Sequence, residues 1–153
     1  MAKTCIEDLR RRVLPLREQA LITDSWLKYR LTNLLPNLME QEKVDMWVTI
    51  AGEYNEDPII FSLLPAPILS ARRRPILLFH RRENGGVESL CFSKPIPELT
   101  PFYSQAWDKD KEDQWAALAR EIEIRNPGVI GLNISDHFVL ADGVCKSQYR
   151  SGE

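Results

Sequence analysis

The sequence lacks the features that define several large classes of protein. No apolar run approaches the roughly 18 residues of a membrane-spanning helix, and the run over residues 13–16 is too short for a signal peptide. The three cysteines stand far apart without CxxC spacing, which favours a reduced compartment. The net charge is -2, whereas nucleic-acid binding needs a surplus of Lys and Arg. We therefore expect a cytoplasmic protein that binds neither membranes nor nucleic acids.

The short motifs of common catalytic and cofactor sites are also absent. His80 and His137 lie in neither an HExxH nor a His-x-His arrangement. The glycine pair Gly85-Gly86 lacks the lysine of a phosphate-binding loop and the dinucleotide fingerprint. Cys91 lies in an apolar run, where a thiol behaves as a small hydrophobic side chain. These patterns predict that the chain itself holds no cofactor or metal.

The composition is that of a globular domain. The chain has 153 residues, of which 44% are hydrophobic and 27% charged, so it is long enough to bury one core. We expect a helical extension over residues 1–21, a domain over residues 22–149 and a short tail over residues 150–153.

Apolar periodicity predicts the helices. Residues 5–14 indicate a short amphipathic helix that ends at Pro15. A stripe of Leu and Met from Ser25 onward predicts the main helix, which Pro36 must kink or split. Another helix is expected between a capping Asp110 and Asn126, and the opening turns of a last one over residues 146–153. Residues 59–64 are compatible with a helix or a strand.

Short apolar runs predict four strands, at residues 44–51, 75–81, 87–92 and 129–134. Asn84-Gly85 predicts a tight hairpin between the second and third, because both residues tolerate a positive φ. Residues 94–107 contain three prolines and predict an irregular connection. This order of elements predicts an α/β fold with a mixed sheet flanked by helices.

An acidic turn follows the first strand and is the main candidate for function, since sheet-edge loops often carry functional residues. Its members are Glu53, Tyr54, Asn55, Glu56 and Asp57, closed by Pro58. The carboxylates could hold a cation or form an acid-base pair, but a solvated turn that caps the next segment is the favoured interpretation. The basic residues 72–74 form either an anion clamp or a solvated edge.

Several stretches share the residue pattern of a known family. They are Arg30-Leu31, Leu34-Leu35-Pro36-Asn37-Leu38-Met39, Val44-Asp45-Met46-Trp47-Val48, Glu53-Tyr54-Asn55-Glu56-Asp57-Pro58, Arg73-Arg74 before Ile76-Leu77-Leu78-Phe79, and Asn133-Ile134-Ser135 before Ala141-Asp142-Gly143. Together they resemble the N-terminal domain of creatinase and Xaa-Pro aminopeptidase-like metallopeptidases, over about residues 22–149. The sequence departs from this pattern at Gly52, where similar relatives carry Arg.

The resemblance implies a ribonuclease H-like α/β domain without catalytic residues. In the family, a following catalytic domain supplies two aspartates, a histidine and two glutamates that hold a pair of divalent metals. The N-terminal domain supports dimerisation and borders the substrate entrance. We therefore expect a homodimer that also contacts a C-terminal catalytic domain. The residues expected at a substrate-gating or subunit interface are Glu53, Tyr54, Asn55, Glu56, Asp57 and Arg73.

Two alternatives stay open at this point. One is a stand-alone hydrolase that uses Glu53, Glu56 or Asp57 with His80 as acid and base. The other is a small-molecule-binding α/β module. The hydrolase alternative differs from the domain that the resemblance implies in the role of the acidic turn. In the hydrolase the turn carries out chemistry, whereas in the resembled domain it supports a neighbouring domain.

Overall fold

The structure is a computed structural model that describes residues 2–54, 56–71, 73–135 and 137. Its α-helices are α1 (Ala2–Arg12), α2 (Leu16–Tyr29), α3 (Leu35–Gln41), α4 (Pro58–Ser62) and α5 (Gln114–Arg125). Its strands are β1 (Met46–Ile50), β2 (Ile76–Arg81), β3 (Val87–Cys91), β4 (Ser104–Gln105) and β5 (Ile130–Leu132). The loop and helical turns predicted beyond residue 137 lie outside the described residues.

The strands form one mixed sheet in the order β4-β3-β2-β1-β5. β2 is antiparallel to both of its neighbours, β1 and β3, whereas β5 joins β1 in parallel and β4 joins β3 in parallel. The predicted α/β class with a mixed sheet is therefore confirmed. β4 was not predicted, because its two residues lie in a proline-rich stretch without strand periodicity.

Both faces of the sheet are buried at its centre. Leu77 and Phe79 of β2 belong to a cluster with the buried side chains of α2 and α3, whereas Ile76 and Leu78 belong to a second cluster with Leu118 of α5. Burial on both faces explains why the strands appear in the sequence as unbroken apolar runs.

The β2–β3 hairpin has a longer turn than predicted. Arg82 donates its backbone N–H to Gly86 and accepts one from Gly85, so the loop contains three residues rather than Asn84 and Gly85 alone. The positive φ angles are at Gly85 and Gly86, 84° and 81°, not at Asn84. Glycine accepts this conformation without steric cost, which explains the pair.

The main helix begins earlier than Ser25 and is divided by a π-helical turn. α2 begins at Leu16, and the π-helical turn Arg30–Leu34 connects it to α3. Pro36 lies in the first turn of α3, where its missing N–H is least disruptive. The irregularity predicted at Pro36, as a kink or a split, is thus a π-helical turn just before this residue, within a continuous helical run. The predicted boundary between residues 21 and 22 falls within α2.

Side-chain caps set the starts of α4 and α5. Asp57 caps α4, which resolves residues 59–64 as mainly helical. Asp113 caps α5, so the predicted cap at Asp110 is wrong by three residues. Asn126 ends α5 with a left-handed φ of 42°, as its position predicted. Among the described residues no helix has the length and apolarity needed to span a bilayer.

Candidate functional site

The acidic turn leaves the end of β1 and is hydrogen-bonded to the segment that precedes β2. Glu53 donates its backbone N–H to the Arg73 carbonyl at 2.8 Å, and its carboxylate accepts the Arg73 N–H at 3.4 Å. The Glu56 carboxylate accepts the Ala71 N–H at 3.2 Å. Two of the three carboxylates therefore hold the turn against its neighbouring backbone.

The third carboxylate, that of Asp57, is buried within the protein. Asp57 is 1% exposed, and its side chain accepts the Ile59 N–H at 2.8 Å, which caps α4. Its other oxygen accepts from the Asn133 side-chain amide at 2.6 Å. A buried carboxylate needs such donors, because water no longer solvates it.

Asn133 connects the acidic turn to β1. Its side-chain oxygen accepts from Trp47 Nε1 at 2.8 Å while its amide nitrogen donates to Asp57. The parallel pairing of β5 with β1 brings Asn133 beside the turn. At Gly131 an added Cβ would lie 3.3 Å from a methyl carbon of Val44 and 3.5 Å from the Trp47 ring, so glycine permits this close packing.

Sequence reasoning assigned no role to Asn133 beyond its place in the family pattern. The only available signal was a polar residue directly after an apolar strand, at an edge where the other parallel strand also ends. The structure thus joins two stretches that carry the family resemblance.

Tyr54 and Arg73 are exposed members of the predicted set, as is Glu53. Tyr54 is 92% exposed, and Tyr54 and Arg73 have left-handed backbones, with φ of 67° and 64°. Such φ values are uncommon outside glycine and occur where surrounding contacts enforce them. The backbone bonds between Glu53 and Arg73 supply those contacts. Asn55 lies outside the described residues.

The structure does not bring His80 to the acidic turn. His80 pairs with Met46 at the start of β1, whereas the turn follows Ile50, which pairs with Ile76. Four strand residues at about 3.3 Å each place the two features roughly 13 Å apart along the sheet. Burial lowers the pKa of His80, and the nearby Arg125 cation lowers it further.

Ion pairs surround His80 at that opposite end of the sheet. Asp45 accepts from Arg81 at 2.9 Å and from the backbone of Val129 at 3.0 Å, and these bonds lower the pKa of Asp45. Glu88 accepts from Arg125 of α5 at 2.8 Å, which lowers the pKa of Glu88. These contacts connect β1 to β5 and β3 to α5, so they hold neighbouring elements of the fold together.

The basic residues before β2 do not converge on one point. The Arg74 guanidinium lies 5.0 Å from the ring centre of Trp115, whereas Arg73 contacts Glu53 through its backbone. Arg72 lies outside the described residues. Within the described part of the chain, no group of three or more His, Cys, Asp or Glu side chains could hold a metal ion.

No family model, curated protein or solved structure matches the chain. The functional inference therefore depends on the contacts above and on the residue pattern of the sequence.

Proposed function

We propose that this chain forms a non-catalytic domain of the creatinase N-terminal type, belonging to a cytoplasmic Xaa-Pro aminopeptidase-like metallopeptidase. In this proposal the domain serves dimerisation and substrate gating. A separate C-terminal domain holds the divalent metal pair and performs the hydrolysis. Residues of the present chain supply none of the metal ligands.

One observation carries the proposal: each carboxylate of the acidic turn is hydrogen-bonded to the domain itself. Glu53 and Glu56 accept from the segment before β2, and Asp57 is buried on Asn133 and α4. A general base has to reach a substrate proton, which the buried Asp57 carboxylate does not do, while the exposed Glu53 and half-buried Glu56 carboxylates already accept backbone N–H groups. The turn therefore supports an exposed Tyr54, which suits a surface that borders a neighbouring site.

An apolar stripe on β5 supports the assembly role. Ile130 and Leu132 alternate in β5 and lie on one face of the sheet, and Ile134, which follows the strand, is 58% exposed. β5 is the edge strand beside β1, and no further strand pairs with it among the described residues. Exposed apolar side chains gathered at a sheet edge are typical of an interface.

Sedimentation of the full chain tests the assembly role. We expect a reversible dimer that Ile134→Lys weakens at least about tenfold, because a charge would enter an apolar contact. Leu69→Lys is the matched control, since Leu69 is 83% exposed and lies in the loop between α4 and β2, far from Ile134 in the sequence. A protein that stays monomeric at every concentration, or equal effects of the two variants, would refute the proposed interface.

A peptidase assay tests the absence of catalysis. The purified chain, supplied with manganese or zinc, is expected to leave Xaa-Pro peptides uncleaved. Cleavage that disappears in Glu56→Gln, while the thermal unfolding of that variant is unchanged, would favour the stand-alone hydrolase instead.

A further inference from the structure

The outer edge of β3 is only half covered. β4 pairs with Leu90 and Cys91, so Val87 and Glu88 have no partner strand on that side within the described part of the chain. The chain before β4 turns away, because Phe102 and Tyr103 both donate to the Leu99 carbonyl. About 7 Å of strand is thus left open at one edge.

The hydrogen-bond pattern shows which backbone groups point outward. Phe92 donates its backbone N–H to the Ile76 carbonyl, and Arg82 donates its N–H to the Gly86 carbonyl. The even-numbered residues of this hairpin therefore form the hydrogen-bonded pairs between β2 and β3. Antiparallel ladders alternate, so Val87 directs its N–H and C=O, and Ser89 its N–H, away from β2, whereas the Ser89 carbonyl is used by the parallel pairing with β4. These groups are placed for pairing with another extended chain.

A cleft of about 300 Å³ lies over this open edge. One wall is formed by Lys28, Leu31 and Thr32, and the opposite wall by residues 100–104. Leu31 and Thr32 belong to the π-helical turn, a backbone feature often found at functional sites. The cleft therefore combines free backbone groups with side-chain walls, as strand-addition sites do.

The charges at the cleft favour an acidic occupant. Lys28 is exposed and has no carboxylate partner among the described residues. Arg82 lies 4.0 Å from Glu88, whose carboxylate is already bonded to Arg125 at 2.8 Å. Lys28 is thus unpaired among the described residues, and the one carboxylate lining the cleft, that of Glu88, faces two cations, Arg82 and Arg125.

We propose that this cleft binds an extended acidic peptide segment of a partner protein, which adds as a strand to β3 between Val87 and Ser89. The backbone of the segment pairs with β3, and its acidic side chains contact Lys28 and Arg82. This binding is independent of the dimerisation proposed for β5, which is the strand at the opposite edge of the sheet.

Titration of the full chain with a short blocked peptide of alternating Val and Glu, followed by amide NMR, tests the proposal. We expect the Val87 and Ser89 amide resonances to shift. The same peptide with Lys in place of Glu, or with alternate amides N-methylated, is expected to bind at least about fivefold more weakly.

The matched pair Lys28→Glu and Lys94→Glu separates the cleft from general charge effects. Both lysines are exposed, but Lys94 does not line the cleft. Lys28→Glu is expected to weaken binding roughly fivefold and Lys94→Glu to leave it unchanged.

The proposal is overturned by equal binding of the lysine or N-methylated peptide, by shifts confined to other residues, or by no binding. Concentration-dependent shifts of the same amides without peptide would assign the cleft to a second copy instead.

Discussion

At the scale of single residues, Asp57 performs two structural tasks with one carboxylate. It caps α4 through the Ile59 N–H and holds the Asn133 amide in a site without water access. The helix cap alone is typically worth about 1 kcal/mol, and an unpaired buried amide costs about 1–3 kcal/mol. The combined contribution should therefore exceed that of an ordinary cap.

Replacement of Asp57 by Ala should lower the free energy of unfolding by about 2–4 kcal/mol, because the cap and the partner of Asn133 are both lost. Asp113→Ala is the control, since Asp113 caps α5 through the Trp115 N–H at 2.8 Å and its side chain makes no second hydrogen bond within the described residues. Its cost should be about 1 kcal/mol. Urea denaturation measures both, and similar losses would show that the Asn133 bond contributes little.

The sequence predicts the acidic turn but not its partners. A strand that ends at Gly52, followed by polar residues and Pro58, indicates a turn from local chemistry alone. Asp57 and Asn133 are 76 positions apart, and their contact depends on how β5 pairs with β1. A single sequence contains no local signal for such a distant pair.

At the scale of elements, the π-helical turn corrects the spacing of a buried stripe. Leu27, Leu31, Leu35 and Met39 are buried and lie four residues apart. In a regular α-helix each four-residue step passes a full turn by about 40°, so the stripe would drift away from the sheet. The wider π-helical turn between Arg30 and Leu34 absorbs one extra residue. It also lies beside Pro36, whose ring would clash with the Thr32 carbonyl in a regular helix.

Deletion of Thr32 combined with Pro36→Ala should preserve the fold. The buried residues would then follow one another at intervals of four, three and four, which is the spacing of a regular amphipathic helix. We expect a free energy of unfolding within about 1 kcal/mol of the parent, whereas deletion of Thr32 alone should cost about 3 kcal/mol from the proline clash.

Deletion of Ala119 from α5 is the matched control for this experiment. It would rotate Arg125 by about 100° relative to Leu118 and the preceding part of α5, and so break its bond to Glu88 of β3 at 2.8 Å. Circular dichroism and thermal unfolding report on all three proteins. If the Thr32 deletion with Pro36→Ala were as damaging as the Ala119 deletion, the π-helical turn would have another cause.

Sequence patterns predict elements better where they are long and apolar. The strands and α5 follow directly from runs and stripes, and Pro36 marks the interruption of the main helix. The π-helical turn and β4 were missed, because each depends on contacts outside its own segment. The cap of α5 was misplaced since Asp110 and Asp113 are both suitable capping residues.

At the scale of the whole molecule, three groups with lowered pKa values lie at one end of the sheet, and each of them makes the folded protein less stable as the pH decreases. The pKa of His80 is lowered by burial, so the folded protein favours its neutral form. The unfolded chain therefore binds more protons, and stability falls as the pH decreases below about 6.5 toward the folded pKa. Asp45 and Glu88 have lowered pKa values, so the stability they contribute is lost at lower pH, below their unfolded pKa values.

Substitution of His80 by Gln should reduce the change in the free energy of unfolding near neutral pH. The free energy of unfolding of the parent should decrease between pH 7 and pH 5, and that of the variant should change less over the same interval. His137 is present in both proteins, so its contribution cancels in the difference. Urea denaturation across this interval provides the measurement, and parallel curves for the two proteins would contradict the assignment to His80.

The hydrogen bond between Asn133 and Asp57 also implies an order of folding. β1 and its turn are synthesised long before β5, and closing a separation of 76 residues is entropically costly. Until β5 docks, the Asp57 carboxylate remains in water and Trp47 lacks its acceptor. The most distinctive stretch of the sequence is therefore among the last parts of the molecule to reach its native arrangement.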